Sequence, residues 1–266
     1  MRLLLVLALL GAPKIADACS CATFGTIRLL PGPRDGAPLN VRFLLEVPPI
    51  EDSLKPMAPE DILVTLRGPK GAVAAEVARW GAAELRWIQL TPKAPLAPAT
   101  RYSVHVSVGG KDSLLGQVVT GDAADTTAPT FEGVTKAAVV VEGVSPGRCT
   151  TGEAYVVLTI GAAKDDATPP QALRYRVWLA DDQGAIDYDR PPTAIVAARG
   201  GELHLGRPSI CTAKSFVLPD RPTFKLGVKA VDLAGNASAP SVVEVSVPPP
   251  PKGRRADIDK TGREDQ

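Results

Sequence analysis

Along most of the chain apolar and polar residues alternate with a period of two. The pattern is cleanest from Arg101 to Val108, where Tyr102, Val104, Val106 and Val108 interleave with Ser103, His105 and Ser107. That is the signature of a β-strand with one buried face. Just upstream, Pro95, Pro98 and Thr100 impose an extended, turning entry. Similar segments precede and follow it at sandwich spacing. They are Thr26 to Leu30, Leu39 to Val47, Asp61 to Arg67, Val73 to Arg79, Leu85 to Leu90 and Gln117 to Thr120 in the first half. In the second half they are Phe131 to Val134, Ala137 to Val141, Ala154 to Ile160, Leu173 to Leu179, Thr193 to Ala197, Glu202 to Leu205, Thr223 to Val231 and Ser241 to Val247. Clusters of Gly, Pro, Asp and Asn separate most of them, and no amphipathic helix longer than two turns stands out. Ala72 to Leu85 is rich in Ala and Glu and suits a helix by propensity, but the strand spacing around it predicts a hairpin. The expectation is an all-β protein made of β-sandwiches.

Two such sandwiches fit. The segment GDAADTTAPT, Gly121 to Thr130, is small and polar, lacks apolar periodicity and marks a domain boundary. A faint repeat relates the halves: Leu96 precedes Tyr102 by six positions as Leu218 precedes Phe224, and Tyr102, Val104, Val106, Val108 correspond to Phe224, Leu226, Val228, Ala230. The same supersecondary unit used twice is the simplest account. The expected cores contain Tyr102, Val104, Val106 and Trp87 in one domain, and Trp178, Leu226, Val228 and Val157 in the other. The boundaries read as a signal peptide over 1–18, a first sandwich over 22–121, a linker over 122–128, a second sandwich over 129–248 and a tail over 249–266. The tail, PPPKGRRADIDKTGREDQ, begins with prolines and continues with charge, so it has too little apolar surface to order.

The first residues change the picture of where the chain works. Met1 and Arg2 lead into the apolar run Leu3 to Leu10, and Ala16 and Ala18 stand three and one positions before Cys19. This is the pattern of a secretory signal cleaved after Ala18, and the run is far shorter than the roughly 20 residues a spanning helix needs. Cleavage would take Arg2 and Lys14 from 30 basic residues and Asp17 from 29 acidic ones, leaving the two signs equal in number. A balanced, scattered charge gives no footprint for nucleic acid or an anionic membrane. The expected location is exported: periplasmic, outer-membrane-associated or extracellular. In that compartment four cysteines suggest disulfides, and Cys149 with Cys211, both in the second domain, is the favoured pair. Cys19 has two readings, a plain cut site or the lipid-carrying first residue of a lipoprotein. The lipid reading leaves Cys21 unpaired.

At several points the chain resembles known families. GAPLNVRF near Gly36, LTPKAPLAPATRYSVHV and VVTGDAADTTAPTF are similar to the bacterial Ig-like domain typified by the S-layer protein SbsA. Tyr102 then stands at the corner-tyrosine position of an immunoglobulin-like sandwich. The TAPTF start and AVDLAGNASAPS near the end of the second half are similar to the fibronectin type III and Ig-like modules of bacterial exported proteins, with Phe224 in place of the corner tyrosine. The resemblance implies sandwiches used as spacer, scaffold or binding module outside the cell, and it transfers no functional residue.

Little in the sequence points to catalysis. The two histidines, His105 and His204, lie in separate strand candidates and read as surface residues. Gly143 to Gly147 spells G-x-S-x-G, but Pro146 and the absence of a following helix deny it the strand-turn-helix setting of a nucleophile elbow. Acidic pairs occur at Asp165 and Asp166, at Asp181 and Asp182, and at Asp187 and Asp189. Loops at one end of a sandwich can bring carboxylates together around calcium, and Asp181, Asp182, Asp187 and Asp189 are the candidates, though Asp is also a plain turn-former. Asn236-Ala-Ser238 is a glycosylation sequon, relevant only in a host that uses it. Trp80, beside Gly81 at a predicted turn, is the candidate anchor for a glycan or protein partner. The expectation is a non-catalytic envelope or extracellular module, structural or adhesive, without a cofactor. The alternative is a carbohydrate- or protein-binding module with a partner at the cell surface.

Overall fold

The computed structural model describes residues 27–30, 34–48, 51–52, 55–56, 61–82, 85–141, 154–206 and 214–249. Cys19, Cys21, Cys149, Cys211, residues 1–18 where a signal peptide is expected, the 143–147 motif and most of the 249–266 tail lie outside the described residues. In chain order the strands of the first half are β1 (Arg28–Leu30), β2 (Arg34–Ala37), β3 (Phe43–Val47), β4 (Glu51–Asp52), β5 (Lys55–Pro56), β6 (Leu63–Gly68), β7 (Gly71–Val73), β8 (Ala75–Ala82), β9 (Leu85–Pro92), β10 (Arg101–Val108) and β11 (Lys111–Thr120). Those of the second are β12 (Thr130–Phe131), β13 (Val134–Val141), β14 (Ala154–Ile160), β15 (Ala163–Lys164), β16 (Arg174–Leu179), β17 (Ala194–Val196), β18 (Glu202–Leu205), β19 (Thr223–Val231) and β20 (Ser241–Ser246). A 3-10 turn, Pro170–Ala172, precedes β16.

In the first half, one sheet has the order β1-β3-β9-β8 and the other β2-β11-β10-β6-β7. This is the ABED-against-GFC order of an immunoglobulin sandwich, with β7 added beyond the C strand and the first strand split in two. Its first part, β1, pairs antiparallel with β3, while its second, β2, crosses to the other sheet and pairs parallel with β11. In the second half β13-β14-β18 faces β17-β16-β19-β20, three strands against four in the arrangement of a fibronectin type III module. The β10–β11 hairpin turns on Gly109 and Gly110, both at positive φ, the two-residue geometry that glycine pairs favour. The Ala72-to-Leu85 segment is part of a hairpin, β8 against β9 in register from Ala75↔Pro92 to Ala82↔Leu85.

Each pair of sheets encloses apolar side chains. Phe43, Leu45, Leu66, Ile88, Leu90, Tyr102, Val104 and Val106 fill the first core; Val156, Leu158, Tyr175, Val177, Phe224, Leu226 and Val228 fill the second. Each such burial is worth roughly 1.5–3 kcal/mol. The tyrosine corner is present: Ala97 donates its backbone N–H to the Tyr102 hydroxyl at 2.9 Å. At the matching place Phe224 packs against Phe216, ring centroids 6.3 Å apart.

Two core expectations for the second sandwich are corrected. Val157 is half-buried and faces away from the core, while its neighbours Val156 and Leu158 face in. The run Tyr155-Val156-Val157-Leu158 is apolar on both faces, so alternation alone leaves its phase open. Trp178 is buried too, but outside the core, because Tyr175, Val177 and Leu179 take the inward phase of β16. Its Nε1 donates to the Arg190 carbonyl at 2.9 Å, Tyr188 meets its ring edge-on at 5.2 Å, and Lys229 Nζ lies 4.3 Å from the Tyr188 ring centre. Tyr188 fits there because Gly227 has no side chain; a Cβ would stand 2.5 Å from the tyrosine hydroxyl.

Candidate functional site

The residues richest in unusual chemistry lie where the two sandwiches meet. The linker is bonded from both sides. Asn40, in the turn before β3, donates Nδ2–H to the Asp125 carbonyl at 2.7 Å and accepts the Asp125 N–H on Oδ1 at 2.9 Å. An amide side chain thus imitates a strand partner. From the second sandwich, Asn236 donates Nδ2–H to the carbonyls of Asp125 and Thr127 at 3.1 and 3.2 Å. Two further bonds cross without the linker: Arg42 N–H to the Leu233 carbonyl at 2.7 Å, and Arg176 Nη2–H to Gln89 Oε1 at 3.0 Å.

The sequence Val-Asp-Leu-Ala-Gly-Asn, Val231 to Asn236, explains this local geometry. Asp232 accepts the Asn236 N–H on Oδ1 at 2.8 Å, closing the loop after β19, and Gly235 takes φ +90 to complete it. Gly235 also lets Arg42 approach, since a Cβ there would stand 2.7 Å from the arginine side chain. The loop then delivers Leu233, 3% exposed, into the apolar cluster of the first sandwich beside Ala172.

An apolar seam flanks these polar contacts. Trp87 is 1% exposed and packs with Ile195 of β17, with Leu30, Leu44 and Trp80 against the pair. Trp87 is therefore not in the first core, as its sequence implied, but on the opposite face of the sheet. Ile88 and Leu90 take the inward positions of β9, and the second sandwich covers Trp87. Trp80 belongs to the same seam, half-buried against it. Between seam and loop lies a cleft with Arg42, Gln89, Arg176 and Asp232 in its walls.

Three carboxylates converge at this junction. One oxygen each from Asp125 of the linker, Asp165 of the loop between β15 and the 3-10 turn, and Asp232 lie within 4.8 Å of one another. Asp165 Oδ2 accepts the N–H groups of Ala167 and Thr168, and Asp125 Oδ1 that of Thr127. Burial, reinforced by the Asp125 charge, pushes the Asp232 carboxyl up to about 6 against the opposing bonds from Asn236. Asp125 is raised too, by burial first and then by the charges of Asp165 and Asp166. Burial lowers Arg176, with Arg42 adding to the effect and Asp232 opposing it.

The other sequence candidates are placed as follows. Asp181 accepts the N–H groups of Gln183 and Ala185, Asp182 pairs with Arg221 at 3.1 Å, and Asp187 accepts the Asp189 N–H and pairs with Arg190 at 3.0 Å. Asp181 and Asp187 thus brace their own turns, and the structure does not gather these four carboxylates into a common site. His105 joins Asp112 at 3.0 Å and Ser103 at 3.2 Å, and His204 joins Glu202 at 3.0 Å while stacking on Tyr155. They sit in different sandwiches. The Asn236 amide of the sequon is occupied by the linker and by Asp232. Of the junction residues, sequence reasoning noted Asp165 as one of an acidic pair and Asn236 as a sequon, and missed the roles of Asp125, Asp232 and Asn40. The signal available was the pair of short polar motifs, Asp-Thr-Thr in the linker and Asp-Leu-Ala-Gly-Asn after the repeat strand, which resembled turns.

No protein-family model and no curated protein matches the chain. Among solved structures it is similar to the N-terminal Ig1-2 module of the Drosophila receptor protein tyrosine phosphatase DLAR, at 11% identity and TM-score 0.28 over 84% of this chain and 98% of that one. It is also similar to the fibronectin(III)-like modules of Clostridium thermocellum CbhA, at 13% identity and TM-score 0.26 over 84% and 94%. A third is the N-terminal part of the bacterial S-layer protein SbsC, at 10% identity and TM-score 0.24 over 84% and 44%. The fold assignment rests on strand order and pairing. Among the described residues no helix is long and apolar enough to cross a membrane.

Proposed function

We propose that the chain is a non-catalytic, exported two-domain module of a bacterial envelope, acting as a structural or adhesive spacer. The observation that carries this reading is the junction. A linker bonded by Asn40 and Asn236 and flanked by the Trp87–Ile195 seam suits a spacer that holds a fixed angle. The signal pattern over 1–18 supports export, and the motifs near Gly36 and Tyr102 support assigning the first domain to the SbsA-type bacterial Ig-like group. In sequence, Cys149 falls between β13 and β14, and Cys211 follows β18. Val141 pairs with Ala154, and Val156 with Leu205, which supports a bridge between them.

The test is the intact mass of the protein from its native host, together with its cell fraction. The reading expects an exported product beginning at Cys19, with a mass that rises on reduction. An uncleaved chain retained in the cytosol would refute it. Acyl chains on Cys19 would make it a tethered stalk rather than a released module.

A further inference from the structure

We propose that Asp125, Asp165 and Asp232 form a calcium site that fastens the linker to the second sandwich. The cluster is more than an acidic patch. Asp125 is only 5% exposed, it contributes an oxygen to the group, its carboxyl lies against that of Asp232, and among the described residues no N–H or other donor reaches its buried Oδ2. Asp165 Oδ1 is likewise buried and meets no donor among the described residues. Leaving such atoms unmet is costly, and among the described residues none of the three carboxylates forms an ion pair with Lys or Arg. A cation bound between them answers both the missing partners and the like-charge crowding.

The donors select the ion. All are hard carboxylate oxygens with no His or Cys among them, which disfavours zinc and suits calcium or magnesium. Three carboxylates, monodentate or bidentate, leave the remaining positions to water. They come from three separate loops rather than one compact frame, which suits the variable coordination of calcium better than the strict octahedron of magnesium. The surroundings also limit the affinity. Arg176 and Arg42 lie near Asp232 and oppose a cation, while Asp166 favours one. The site therefore belongs with weak extracellular calcium modules, at about 0.1–1 mM. The inference leans on export only for its supply of calcium. A titration in vitro tests it independently of that reading.

The experiment is thermal unfolding and limited proteolysis of the full chain, stripped with chelator and titrated with calcium chloride. At about a hundredfold excess over the dissociation constant the melting temperature should rise by roughly 5–10 °C. Cleavage within Gly121 to Thr130 should slow by about tenfold or more. Asp125→Asn keeps the Oδ1 acceptor for Thr127 but removes a charge, so it should melt higher than the parent without metal and no longer respond to calcium. Asp165→Asn should also blunt the response, whereas Asp181→Asn should leave it intact. No shift up to about 10 mM calcium, ten times the weak end of that affinity range, would overturn the proposal. So would an Asp125→Asn protein that responds like the parent. An equal shift from magnesium at the same concentration would overturn the choice of calcium.

Discussion

Trp87→Ala separates docking from folding. Truncating a fully buried tryptophan costs about 3–5 kcal/mol, and for a chain of this size each kcal/mol is worth roughly 2–4 °C. Where that cost falls depends on which face Trp87 occupies. It sits against Ile195, on the side of β9 opposite Ile88 and Leu90, so the loss should fall on the contact between sandwiches. The first core should remain closed. Amide hydrogen exchange measures this residue by residue. The Arg42 N–H, bonded across the junction to Leu233, should exchange faster in Trp87→Ala, and calorimetry should resolve two transitions further apart than in the parent. Ile88→Ala is the control. Its cost of about 2–5 kcal/mol belongs to the first core, so protection should fall at Leu66 and Val104. If Trp87→Ala instead loosened Leu66 and Val104 and left Arg42 protected, Trp87 would be a core residue and the seam would not hold the domains together.

Other outcomes follow from single contacts. Tyr102→Phe leaves the Ala97 N–H without its acceptor and should lower first-domain stability by about 1–2 kcal/mol, measurable by urea titration; an unchanged midpoint would show the corner bond to be dispensable. Asn236→Ala removes the bonds to Asp125, Thr127 and Asp232, and should speed protease cleavage in the linker while leaving the Tyr175 region protected from exchange. Val228→Asp buries an unpaired charge at a position with no exposure and should unfold the second sandwich, read as loss of the Trp178 fluorescence environment. Retained native fluorescence would contradict that placement.

Strands such as β3, β10 and β18 were legible because one face of each is dry, and the repeat of Tyr102 to Val108 with Phe224 to Ala230 does mark equivalent strands, β10 and β19. What the alternation could not convey was a second dry surface. Trp87 and Trp178 both sit at polar-phase positions, so their burial depends on what covers the outer sheet face, which is a tertiary fact. The first half of β11 escaped notice for the converse reason: Lys111 to Leu114 are exposed on both faces, and only the Gly109-Gly110 turn announced a hairpin. Asp125 and Asp232 were illegible as partners because they stand over a hundred residues apart, each inside a motif that looks like an ordinary turn. Asp181, Asp182 and Asp187 look the same in sequence, but their carboxylates accept N–H groups of their own loop or meet an arginine.

The split first strand has a mechanical consequence. Because β2 runs parallel to β11, a pull on the chain from opposite ends of the first sandwich draws the two strands lengthwise past each other. The pairs Val118↔Arg34, Val119↔Asp35 and Thr120↔Ala37 then share the load and must give way together, instead of peeling apart one at a time as a hairpin does when its ends are separated. A protein held at one end and tugged at the other by flow or by a neighbouring cell would meet its greatest resistance at this short ladder. Tension would reach it through the junction.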